Sequence, residues 1–310
     1  MPPNNFKKIF NKENRTKYFV HVLSYLFIFS ILIFSLMIIG ENALNKEVKA
    51  ETVQNPDFFQ DISLEAKAVM VWDVINNREL FSKNPDTPLP LASLTKVMTA
   101  VTLNGKLENN QKIKITSGDL LPEGDSKLVV GDTWEAQDLR DFTLLTSSND
   151  GAFALAAVAG VKGDSSFIKE MNDIASKIGL SNSKFFNEHG LDTQVDRGGA
   201  YGSARDMTTL FQYTLKNYPE ILEATRYKNL QFESSQKTYP SENTNTIIDQ
   251  IPNIIASKTG YTDLAGGNLV VAFDAGLNRP IIISVLGSSE EGRFTDVLKL
   301  MQASVEYINQ

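Results

Sequence analysis

A chain of 310 residues, 42% of them hydrophobic and 22% charged, holds enough apolar sequence for a large folded domain. With no cysteine, a disulfide framework, a thiol nucleophile and a thiolate metal site are excluded, and His21 and His189 are too few for a zinc site built on histidine. The net charge of −7 divides into +4 over residues 1–17 and −11 over the remainder, an acidic body that argues against nucleic acid as a partner.

Residues 1–17 set Lys7, Lys8, Lys12, Arg15 and Lys17 against Glu13 alone and read as a basic cytoplasmic tail. Residues 18–40 carry no charge and are rich in Phe, Ile and Leu; 23 residues suffice to cross a bilayer as a helix. The basic flank then places everything after residue 40 outside the cytoplasm, behind an uncleaved single-pass anchor in the cell membrane. The alternative is a cleaved signal peptide and a secreted product, but its apolar region should be about 7–15 residues long and followed closely by a small-x-small site. Here Val48-Lys49-Ala50 lies ten residues beyond the apolar run. Residues 41–57 read as a stalk, and residues 58–310 as the globular domain.

Within that domain, residues 66–72 predict a buried strand and Asn76-Asn77 a turn into a second strand at Glu79-Leu80-Phe81. A helix opens near Ser93 and runs to Asn104-Gly105: Leu94, Val97, Met98 and Val101 keep three- and four-residue spacing, with Pro88 and Pro90 just ahead. Further helices are expected over 137–147, 151–160 and 164–179, and over 203–218, where Ser203 is placed to cap with Asp206 three residues on. A polar stretch around 231–245 is assigned no element. Strands return at 268–273 and 280–286, and an amphipathic helix closes the chain over 294–309. Strands at both ends with helices between them predict an α+β fold, an antiparallel sheet from both chain ends beside a helical cluster.

Three stretches carry candidate chemistry. Ser93 and Lys96 lie one helical turn apart, so a hydroxyl and an amine meet on one side. The Ser-x-x-Lys spacing also occurs at Ser166, Ser181 and Ser234, so it does not select Ser93 by itself. Thr146-Ser147-Ser148-Asn149-Asp150 interrupts two apolar helices with small polar side chains that must be hydrogen-bonded, as a helix-to-helix cap or as part of a site. Ser257-Lys258-Thr259-Gly260-Tyr261 fits an edge strand on which Gly260 lets another backbone or a ligand come close, or a plain hairpin. A Ser-His-Asp enzyme would depend on His189, and no Gly-x-Ser-x-Gly elbow accompanies it.

In that order, Ser93-x-x-Lys96, Ser147-x-Asn149 and Lys258-Thr259-Gly260 resemble the three motifs of penicillin-binding proteins and serine β-lactamases. Pro90-x-Ala92-Ser93-Leu94-Thr95-Lys96, Asn187-x-x-Gly190-Leu191, Ser203-Ala204-Arg205-Asp206 and Lys258-Thr259-Gly260-Tyr261-Thr262-x-x-Ala265-Gly266 are similar to the low-molecular-mass D-alanyl-D-alanine carboxypeptidases, from about residue 58 to the C-terminus. The resemblance implies a β-lactamase/transpeptidase-like fold that needs neither metal nor cofactor. It implies a serine D,D-peptidase that removes the terminal D-alanine of peptidoglycan stem peptides through an acyl-enzyme on Ser93, serves cell-wall biogenesis and cell shape, and is inhibited by β-lactams. It assigns Lys96 as the base, its amine kept neutral by burial and by the charge of Lys258, and Ser147 as the proton relay. Asn149 would hold the substrate peptide, Thr259 and Arg293 its terminal carboxylate, and the N–H groups of Ser93 and Tyr261, beside Gly260, would form the oxyanion hole. A D,D-endopeptidase using the same residues is the main alternative. A β-lactamase lacks support, since no Glu-x-x-x-Asn follows Asn149, and an inactive wall-binding scaffold would not retain every chemical residue. Two features depart from the family: Ala256 stands where a glycine is common, and no second β-rich domain follows the closing helix, so the N-terminal span is expected to take the part of the anchor.

Overall fold

The apolar runs near the two ends of the chain meet in one sheet. The structure, a computed structural model, describes Ser24 and residues 58–310 apart from 121, 125–126, 161–165 and 277. Strands β1 (Ala68–Asp73) and β2 (Arg78–Lys83) form a hairpin with a bulge at Val71/Trp72. A two-residue strand β3 (Leu89–Pro90), a 3-10 turn over Ala92–Leu94 and helix α1 (Thr95–Leu103) follow. Strands β4 (Lys112–Lys114) and β5 (Thr133–Glu135) pair, and lead into helices α2 (Ala136–Thr146), α3 (Asn149–Ala159) and α4 (Ser166–Lys177). Strands β6 (Lys184–Phe185) and β7 (Ala200–Gly202) join β3 in a small sheet ahead of helix α5 (Ala204–Asn217). The hairpin of β8 (Asn229–Glu233) and β9 (Thr238–Glu242), strands β10 (Ile254–Thr262), β11 (Gly266–Asp274) and β12 (Pro280–Ser288), and helix α6 (Gly292–Ile308) complete the domain.

The main sheet has the order β10-β11-β12-β1-β2, antiparallel throughout, with β10 on its edge. Its inner strands are apolar at nearly every position because both faces are covered. Ala68, Met70, Val270, Ala272, Ile282 and Leu286 face a core shared with α1 and α5, while Val69, Val71, Leu269, Val271, Ile281 and Ile283 face Phe294, Val297 and Leu300 of α6. Side chains alternating across a strand feed the two cores in turn, and each fully buried aliphatic side chain contributes about 1.5–3 kcal/mol. The buried Asp296 fastens α6 to the sheet, accepting from Glu65 N, Ala66 N and Ser288 Oγ at 3.1, 2.8 and 2.9 Å.

Every residue of α1 is buried, so the helix carrying Lys96 is a central post and not a surface element. Its threonines are tolerated because Thr102 donates to Met98 O at 2.8 Å and Thr99 to Glu188 O at 2.6 Å. The polar stretch around 231–245, to which the sequence reading assigns no element, holds β9 and most of β8. The hairpin's inward positions, Leu230 and Phe232 in β8 and Tyr239 and Ser241 in β9, alternate regularly with exposed ones, so the period-two signal is present but short and poor in large apolar side chains. The basic tail, the anchor over 18–40 and the stalk fall, apart from Ser24, outside the described residues. Among the described residues no helix is long and apolar enough to cross a membrane. Asp57–Gln310 folds as one compact unit.

Candidate active site

The turn that presents Ser93 is held from three directions. Asn268, fully buried on β11, donates through Nδ2 to the carbonyls of Pro90 and Leu91 at 2.9 and 3.1 Å, and its Oδ1 accepts from Gly287 N at 2.8 Å. Thr95 Oγ1 donates to Ala92 O at 2.7 Å. From the far side the 187–190 turn presses in: a Cβ on Gly190, whose φ is +87°, would fall 1.9 Å from Ala92 O, so this position admits only glycine. Within this clamp Ala92 adopts φ +47°, a left-handed conformation costly for a residue with a Cβ. The half-buried Ser93 that follows is thereby turned into the cleft.

Lys96 Nζ lies 2.7 Å from each of three oxygens: Ser93 Oγ, Asn149 Oδ1 and His189 O. A protonated amine has three N–H donors; a neutral one has two and a lone pair. The two carbonyl oxygens only accept. In the neutral form the two donors go to them and the lone pair is left for the Ser93 hydroxyl. The orientation of the Asn149 amide is fixed independently, since its Nδ2 donates to Glu123 O at 2.6 Å. Burial first, and the Lys258 charge second, hold the Lys96 amine well below its ordinary proton affinity, while the carboxylate of Glu188 works weakly the other way.

Ser147 ends α2 in a left-handed conformation, φ +63° and ψ +30°, and Ser148 caps α3 by accepting from Gly151 N at 2.9 Å. The five-residue polar stretch is thus a helix-to-helix cap, and the cap is also what aims Ser147. Lys258 Nζ, buried, donates to Ser147 Oγ at 2.9 Å and to Thr259 O at 2.8 Å. Burial, aided by the charge of Arg293, pushes the Lys258 amine down to about 7. Lys258 is then only partly charged near neutrality, and burial outranks it in keeping Lys96 neutral. Two amines and two hydroxyls, from the Ser93 turn, α1, the α2–α3 junction and β10, therefore line this region.

Gly260 brings β10 against the Ser93 turn: a Cβ there would lie 2.8 Å from Leu91 O and 3.1 Å from Ser93 N. Tyr261 follows on the edge strand and is 43% exposed. Thr259 Oγ1 lies 2.6 Å from Thr244 Oγ1. Arg293, at the start of α6, donates from Nη1 to Gly260 O at 3.0 Å, with its guanidinium between the Phe294 and Tyr261 rings at 4.6 and 5.9 Å. A cavity of about 330 Å³ opens beside Ser147, Ser148 and Asn149, walled by Phe142, Tyr239 and Pro240.

The structure forms two hydrogen-bonded sets, Ser93–Lys96–Asn149 and Ser147–Lys258–Thr259, near enough for the Lys258 charge to act on Lys96, with Gly260 and Tyr261 along the β10 side and Arg293 bonded to the Gly260 carbonyl. Three groups expected on substrate are already engaged by protein: Asn149 by Lys96 and Glu123, Thr259 by Thr244, and Arg293 by the Gly260 carbonyl. Sequence reasoning missed Asn268 and the backbone carbonyl of His189. The first is one asparagine within a strand. The second acts through a main-chain atom, which no side-chain pattern reveals, although Asn187-x-x-Gly190 marks the turn: Asn187 Oδ1 accepts from Gly190 N at 2.7 Å.

Comparison with known proteins gives the family and the fold. The family model described as D-alanyl-D-alanine carboxypeptidase matches residues 49–290. The D-alanyl-D-alanine carboxypeptidase DacC of Escherichia coli is 32% identical over 81% of this chain, and the match spans 62% of that relative's length. A D-alanyl-D-alanine endopeptidase of Escherichia coli is 29% identical, over 86% of this chain and 83% of its own. Among solved structures, a penicillin-binding protein of Listeria monocytogenes in its ampicillin-bound form superposes with a TM-score of 0.69 at 29% identity, over 78% of this chain and 98% of that one. By the family match, and by a fold and site consistent with it, this chain belongs to the D-alanyl-D-alanine carboxypeptidase family.

Proposed function

We propose that the protein is a serine D,D-carboxypeptidase that removes the terminal D-alanine from peptidoglycan stem peptides and is acylated by β-lactams at the same serine. The observation that carries this reading is the Lys96 amine, 2.7 Å from Ser93 Oγ, with both its other partners pure acceptors. Ser93 Oγ attacks the carbonyl carbon of the penultimate D-alanine while its proton passes to Lys96. The oxyanion forms against the N–H groups of Ser93 and Tyr261, donors held in place by the close approach at Gly260. Ser147, fixed by Lys258, takes up the proton from Lys96 as it passes its own to the leaving amine; the C–N bond breaks, D-alanine departs and Lys96 is neutral again. Water then attacks the ester, its proton passing to Lys96 and from there to Ser93 Oγ as the ester bond breaks, and the shortened peptide leaves.

The edge position of β10 suits a peptide lying along it as an added strand, its terminal carboxylate near Thr259 and Arg293. Asn149 reaches such a peptide by exchanging its Glu123 contact. The cavity beside Asn149 leaves room for the rest of the stem on the acyl side. Residues 18–40 support a single-pass anchor that holds residues 58–310 on the outer side of the bacterial membrane, with residues 1–17 in the cytoplasm.

The endopeptidase named among the relatives, which this chain covers more fully than DacC, supports a second reading in which the leaving amine belongs to a neighbouring stem. Incubation with a stem pentapeptide and, separately, a cross-linked dimer decides. The expected result is D-alanine release from the pentapeptide with the dimer intact. Cleavage of the dimer alone gives the second reading, and failure on both substrates overturns the two together.

A further inference from the structure

Thr244 belongs to none of the three motifs, yet its hydroxyl lies 2.6 Å from that of Thr259, with either atom able to donate. It sits in the segment joining β9 to β10, and that segment is tightly framed. Thr244 N donates to Leu145 O at 3.3 Å. The buried Asn243 donates through Nδ2 to the carbonyls of Thr225 and Tyr227 at 2.9 and 3.0 Å and accepts from Asn245 N at 2.8 Å. Thr225 in turn holds β10: its Oγ1 accepts from Ser257 N at 3.1 Å and its carbonyl from Ser257 Oγ at 3.2 Å. The frame is thus tied both to the strand bearing Thr259 and, through Leu145, to the helix ending at Ser147. Thr244, half-buried, has a fixed place beside the Thr259 hydroxyl.

We infer that Thr244 is a positioning residue for recognition of the substrate's terminal carboxylate, donating to Thr259 Oγ1 so that the one proton of Thr259 points at that carboxylate. The inference rests on the carboxypeptidase reading above. A hydroxyl carries one proton on a free rotor, and a carboxylate can only accept. For Thr259 to donate to substrate, its bond with Thr244 must run from Thr244 to Thr259, and each bond of that chain then polarises the next. Without a donor at position 244 the rotor is undirected, and the loss falls on substrates that present a charge there.

The test compares kcat and KM for an N-acylated peptide ending in D-Ala-D-Ala, as the free carboxylate and as its C-terminal amide. Thr244→Val keeps the shape and deletes the hydroxyl; Thr244→Ala deletes both, and serves if the valine variant folds poorly; Thr244→Ser retains the donor. The expected result is a loss of about tenfold in kcat/KM for the free carboxylate in Val and Ala, with little change for the amide, and recovery in Ser. A merely structural role lowers both substrates together. Equal losses, no loss, or a serine variant that fails to recover each overturn the inference while leaving the carboxypeptidase reading standing. A wild-type enzyme that releases no D-alanine from the free-carboxylate peptide overturns that reading, and this inference with it.

Discussion

Ser93→Ala is expected to abolish covalent labelling by a fluorescent penicillin and to reduce D-alanine release at least about a thousandfold, with no change in thermal stability beyond a degree or two. The size follows from chemistry: without Oγ no ester forms, and the remaining oxyanion and binding contacts have no covalent step to assist. Stability is spared because Ser93 is half-buried and its turn is held by Asn268, Thr95 and Gly190, none of which uses the serine hydroxyl. The matched control is Ser166→Ala, another Ser-x-x-Lys, which should label normally. Its Lys169 reaches Asp173 at 2.6 Å on the exposed face of α4, far in character from a buried neutral amine. Retained labelling in Ser93→Ala, read by gel fluorescence, contradicts the nucleophile assignment.

Lys96→Arg is expected to cost a similar factor, about a thousandfold or more in acylation, although the positive charge is conserved. A guanidinium cannot lose its proton in a protein and has no lone pair to offer Ser93. The same argument sets the sign of the pH dependence. The Lys96 amine is held well below its ordinary proton affinity, so it is neutral above its folded pKa and acylation proceeds. As pH falls through that value one proton is taken up, the lone pair is lost, and the rate declines with it. For stability the direction is also fixed: an unfolded lysine titrates near 10.4, so between the folded and unfolded values the unfolded chain binds more protons and the fold gains stability as pH rises. Lys96→Met, which buries an apolar chain of similar length, is therefore expected to be inactive yet at least as stable as wild type near neutrality. Urea melts at pH 7 and pH 9.5 check this: wild type should gain on the methionine variant at the higher pH.

Much of the fold was legible because the elements with the strongest patterns are those that enclose the site. Apolar strands near both chain ends, proline ahead of α1 and Ser203 capping α5 each have a local cause. The β8–β9 hairpin was harder to read, because its alternation lasts only five residues per strand, Pro240 stands within β9 and one inward position is a serine. In the site, the motif residues were legible as types at spacings, but their mutual geometry was not. Nothing local shows that Lys96 and Asn149, 53 residues apart, share a hydrogen bond, or that a carbonyl at position 189 completes the set. Nor does spacing reveal that Ala92 takes a left-handed conformation, since the cause is the 187–190 turn packed against it. The balance between burial and Lys258 in tuning Lys96 also needed three dimensions, because it depends on α1 being enclosed on every side.

The account turns on the amine at position 96 being uncharged beside the serine. A direct measurement is the titration of the Lys96 ε-carbon by NMR in protein labelled at lysine, with the resonance assigned by its loss in Lys96→Arg. The account predicts a midpoint well below 10.4, coincident with the acid limb of the acylation rate; a midpoint at the ordinary lysine value contradicts it.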